Sequence, residues 1–105
     1  MVPAQALWEL IEAEGIQIEW WPFESRVGMY VRIPELDKPV IVLSTGLETE
    51  EQSLWAVLAH ELGHHFTTVG DVVVALDFNG QVMNTKAERL ANEWAVRFLQ
   101  GIRSA

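Results

Sequence analysis

The chain has 105 residues, half of them apolar and five of them tryptophan, and seven basic against fifteen acidic side chains give a formal net charge of −8. That length supports one hydrophobic core and one domain, and the apolar content excludes a disordered tail. The acidic balance argues against direct nucleic-acid binding, and the lack of cysteine leaves histidine and carboxylates as the strong metal ligands.

Pro3 to Glu14 reads as a helix: Pro suits a first turn, Leu7, Leu10 and Ile11 share a face, Glu9 and Glu12 point away, and Gly15 supplies the stop. No basic segment precedes an apolar stretch, and no window is long enough to span a membrane, so a soluble, cytoplasmic protein is expected. Alternation in "IQIEW" and "VGMYVRI" and the apolar run "PVIVLS" predict three strands near 16–21, 27–33 and 39–44. The middle segment mixes Gly28, Met29, Tyr30 and Arg32 and so reads as an edge strand, whereas "PVIVLS" has a central strand's character.

A second helix opens after Thr49, which forms a capping-box pattern with Gln52, and runs to Phe66. Trp55, Ala59 and Leu62 occupy one side and Leu54, Val57 and Leu58 another, which predicts a central, buried helix. Then "DVVVALDFNGQVM" reads as a hairpin around Asn79-Gly80, and a last helix starts near Thr85 with Gly101 expected just past its end.

The chain's three histidines, His60, His64 and His65, all fall in "AVLAHELGHHF" on the second helix. His60 and His64 project from one face a turn apart and can both give a ring nitrogen to one ion. This is the H-E-x-x-H pattern, in which two histidines hold zinc and Glu61 serves as general base toward the attacking water. Two imidazoles and a carboxylate on an otherwise apolar helix would each be costly if unsatisfied, and a bound cation removes that cost. Gly63, unfavourable inside a helix, fits the close approach of another backbone or of substrate.

A catalytic zinc needs a third protein ligand and an open position for water. His65 points about 100° away from His64 and is a poor choice. On the last helix Glu88 shares a stripe with Asn92, Ala95 and Leu99, whereas Glu93 lies nearer Arg89 and Arg97. Spacing alone leaves two readings of Glu88: a metal ligand, or the partner of Thr85 in a capping box.

Taken together, "HELGHH" and "ERLANEWAVRFL" resemble the ImmA/IrrE family of zinc metallopeptidases, whose second motif is similar to E-x-x-A-N-x-F-A. "GIQIEW" and "KPVIVLS" extend the likeness over most of the chain. The resemblance implies Glu88 as third zinc ligand beside His60 and His64. It also implies a zincin-like α+β fold, a small twisted β-sheet packed on a central HExxH helix with flanking helices. The activity implied is that of an endopeptidase cutting a regulatory protein, commonly a transcriptional repressor of helix-turn-helix type. Trp94 departs from the family's Phe, and "QGIRSA" lacks its Leu-Leu-Met-Pro continuation, so residues 1–105 read as a single minimal domain.

In that chemistry Glu61 takes a proton from water and passes it to the leaving amine, and His65 and Tyr30 are candidates to stabilise the oxyanion. An extended substrate is expected along the Val27 to Ile33 edge, unless the Asp71 to Met83 hairpin covers it. Two rivals stand beside the peptidase. One is a protein-interaction module that keeps the metal as a structural clip and binds a regulator without cleaving it, though a structural site has no use for Glu61. The other is a zinc hydrolase of small molecules.

Overall fold

The computed structural model of the chain describes residues 3–77 and 85–104. Helix α1 (Pro3–Ala13) ends where Gly15 takes a φ of +67°, a conformation open to glycine at little steric cost. The amides of Ile16 and Gly15 close back on the carbonyls of Ile11 and Glu12, and Ile16 packs with Ile11 in the core. Strands β1 (Gln17–Trp21), β2 (Arg26–Arg32) and β3 (Val40–Ser44) follow, then a 3-10 turn (Thr45–Thr49). Helix α2 (Glu51–Thr67), strand β4 (Val72–Asp77) and helix α3 (Lys86–Ser104) complete the α+β architecture. Among the described residues no helix is long and apolar enough to cross a membrane.

The four strands form one mixed sheet in the order β1-β3-β2-β4, with β1 parallel to β3 and β2 antiparallel to both β3 and β4. The apolar run of β3 is central, as its sequence predicts. The edge expected at Val27 to Ile33 is not there, because β2 is paired on both sides, by β3 and by the β-branched run of β4. The polar character of β2 has another origin. Gly28 and Tyr30 are buried toward α2, Met29 and Val31 lie half-buried on the opposite face, and both arginines stand at the strand's ends. The predicted hairpin survives as β4 alone; its Asn79-Gly80 turn and second strand lie outside the described residues.

Against one face of the sheet lies α2, whose residues Val57 to His64 are all buried. Leu7 and Ile11 of α1, Tyr30, Ile41 and Leu43 of the sheet, Leu58 and Leu62 of α2 and Ala95 of α3 belong to one core cluster. Covering α2 on every side in this way is what its nearly continuous apolar surface requires. α3 docks along α2 through Ala91 and Ala95, and Trp94 stacks between Phe66 and Phe98 with ring centroids 5.0 Å apart on either side.

Candidate metal centre

Two helices build the site. α2 presents His60 and His64 one turn apart, and the first turn of α3 presents Glu88 between them. His60 Nε2 lies 2.7 Å from Glu88 Oε2 and His64 Nε2 lies 3.1 Å from it, with all three residues at most 4% exposed. What lets the helices come so close is Gly63: a Cβ there would stand 2.8 Å from Ala91 Cα and closer still to the Ala91 carbonyl oxygen. The glycine that looked costly inside a helix is therefore a seat for the α3 backbone.

Thr85 fixes the entry to α3, its Oγ1 accepting the Glu88 backbone N–H at 3.2 Å. Only the Thr85 half of the capping box forms, since the Glu88 amide uses Thr85 while its carboxylate, which a full box would turn back to the Thr85 N–H, goes to the histidines. Burial pushes that carboxyl upward, but hydrogen bonds from His60 and His64, and their charge, outweigh it and hold the pKa at about 2. A carboxylate kept ionised in a buried place beside two imidazoles is a ready cation ligand.

One ligand atom from each of His60, His64 and Glu88 lies within 4.8 Å of the others. Donors around a tetrahedral zinc stand about 3.3 Å apart, so the 2.7 Å and 3.1 Å contacts to Glu88 would lengthen by about 0.6 and 0.2 Å around such an ion. Its nitrogen and oxygen composition suits zinc. His64 Nδ1 is buried without a hydrogen-bond partner among the described residues.

Glu61 leaves α2 toward the sheet and is completely buried. Neither carboxylate oxygen has a hydrogen-bond partner among the described residues. Burial, reinforced by the neighbouring Glu88 carboxylate, raises its pKa well above the ordinary value. Gly28 of β2 makes room for it: a Cβ there would meet Val57 Cγ1 at 2.7 Å and Glu61 Oε1 at 3.2 Å. The β2–β4 pairing also shifts register between Arg26 and Gly28, a local irregularity beside this carboxylate. An ionisable group held so, near a convergent donor set, is a candidate functional residue.

His65 and Tyr30, the expected oxyanion candidates, are engaged elsewhere. The Tyr30 hydroxyl lies 2.6 Å from His65 Nδ1, and His65 Nε2 lies 2.9 Å from Glu14 Oε1. Tyr30 is fully buried, and burial raises its pKa despite the nearby Arg32 guanidinium. Sequence reasoning overlooked Gly28 as the seat of Glu61, although a glycine inside a strand signals a close approach. Compared with known proteins, the chain matches no family model, no curated protein and no solved structure.

Proposed function

We propose that the chain is a zinc-dependent endopeptidase with a zincin-like fold, acting on a regulatory protein such as a helix-turn-helix repressor. The observation that carries this reading is the convergence of His60, His64 and Glu88, with the buried Glu61, unpartnered among the described residues, one residue from the first of them. A purely structural clip would need the three ligands and not the isolated carboxylate.

His60, His64 and Glu88 would hold the zinc, which supplies a Lewis acid to polarise the scissile carbonyl and activate water. Glu61, its basicity raised by burial, accepts the proton of the attacking water and returns it to the departing amine. The seat at Gly28 fixes the carboxylate's position through that exchange. A peptide substrate is favoured over a small molecule by the sheet. β4 lies one strand beyond the contact with Glu61, its Leu76 opposite Gly28, and among the described residues its outer side is unpaired. Such an edge takes an extended segment by main-chain hydrogen bonds.

The test is metal analysis together with cleavage of a peptide library and a candidate repressor. One zinc per chain and cleavage that Glu61→Gln abolishes while keeping the metal are expected. Protein that takes up no added zinc would overturn the reading, and zinc uptake without cleavage of any substrate would leave the structural clip in its place.

A further inference from the structure

The geometry points to Arg32 as a positioning residue for the ligand His64, acting through the carbonyl groups at the C-terminal end of α2. The inference rests on the metal reading of His60, His64 and Glu88. α2 ends at Thr67, so His64 sits in its last turn, where backbone carbonyls run out of intrahelical donors. Local side chains meet part of that need: Thr67 Oγ1 donates to the Gly63 carbonyl at 2.7 Å, and Thr68 donates to His64 O from its hydroxyl and from its amide. Further donors come from β2. Arg32 Nη1 donates to His65 O at 3.2 Å, Nη2 to Thr68 O at 2.8 Å, and Nε to Gly70 O at 3.1 Å. Nη1 also reaches the Tyr30 hydroxyl at 3.3 Å, which is itself bonded to His65.

A guanidinium fork can engage these separate carbonyls together, and its charge suits the negative end of the helix dipole. β2 therefore grips α2 twice, with Gly28 against Glu61 and Arg32 just beyond His64. Fraying at the end of α2 would disturb His64 first, since His60 lies a full turn deeper. Arg32 touches none of the metal donors; its effect is to keep one of them in place.

The experiment measures zinc affinity by chelator competition, and the visible spectrum of the cobalt-substituted protein, at a temperature where every variant is folded. Arg32→Ala is expected to weaken zinc binding about tenfold or more and to alter the cobalt bands. Arg32→Lys, which keeps the charge but cannot span the carbonyls, should lose affinity to a smaller degree, while Arg97→Ala on the exposed side of α3 should match wild type. If Arg32→Ala does not fold, Arg32→Lys decides alone. Wild-type affinity and an unchanged cobalt spectrum in the Arg32 variants, with only a lower melting temperature, would overturn the inference and leave the metal site standing. Failure of the wild-type protein to bind zinc or cobalt would overturn both.

Discussion

His64 brings Nε2 to 3.1 Å from Glu88 and leaves Nδ1 without a partner among the described residues, whereas His65, one position on, has Tyr30 at one ring nitrogen and Glu14 at the other. Both are histidines beside a glutamate on the same helix turn. The second is saturated by fixed protein groups from two separate segments, and so joins the turn after α1 and strand β2 to the end of α2. The first converges with another imidazole on a single carboxylate, which brings three possible ligand atoms to one point. Convergence of donors separates a ligand from a strut more clearly than burial or residue type does.

Replacing each histidine in turn tests that contrast most severely. His64→Ala should cut zinc affinity about a hundredfold or more, as expected for losing a donor outright. His65→Phe should leave zinc binding little changed but cost about 1–3 kcal/mol of stability, because the buried Tyr30 hydroxyl loses its best partner. Isothermal titration with zinc and denaturant unfolding would read the two effects, and equal losses of affinity would erase the distinction.

Gly63→Ala asks whether the convergence depends on how closely the helices pack. Its Cβ would run into the Ala91 backbone, which cannot rotate aside as a side chain can. A destabilisation of about 1–3 kcal/mol is expected, together with weaker zinc binding as Glu88 is pushed away from the histidines. Unchanged melting and metal content in this variant would show that the helices have room to spare.

The smallest effect is a pH dependence in protein stripped of metal. Glu88 is held at about 2 against an ordinary 4.5, so its contribution to stability is present above pH 4.5 and disappears as pH falls toward 2. Glu61 has the opposite sign: its raised pKa contributes stability below 4.5 that is lost as pH climbs through the folded-state value. Denaturant titrations across pH should therefore show Glu88→Gln flattening the acid limb and Glu61→Gln gaining stability near neutrality. An acid limb unaffected by Glu88→Gln would mean that the histidines do not hold that carboxylate.

Much of this molecule was legible locally. α1 and the first three strands fall within about two residues of their predicted limits because Gly15, the period-2 alternation and the apolar run of β3 are short-range signals. The capping box read at Thr49 does not form; Thr49 belongs to the 3-10 turn, and Glu50 begins α2 with no side-chain cap. Leu47, buried in that turn, explains the preference, since tertiary burial outweighs a surface cap. The interior place of β2 was legible only as the alternative, a cover by the Asp71 to Met83 segment, because its partner β4 comes some forty residues later. Arg32 gave no signal either, as its carbonyl acceptors lie 33 to 38 residues away and a lone arginine ending a strand is ordinary. Within the site, the two histidines and Glu61 were readable from one helical repeat, while Glu88 needed a contact between helices that spacing alone left open.

The unbroken burial from Val57 to His64 bears on how the protein would fail. Amides in a segment shielded on all sides exchange with solvent only when the whole structure opens, so these should be among the slowest in a hydrogen-exchange experiment. While Arg32 holds the end of α2, the turn that bears His60 and His64 would then have no private route to disorder. Zinc would act on the melting of the entire domain, raising its midpoint with concentration by mass action, and a chelator would lower it by the same linkage.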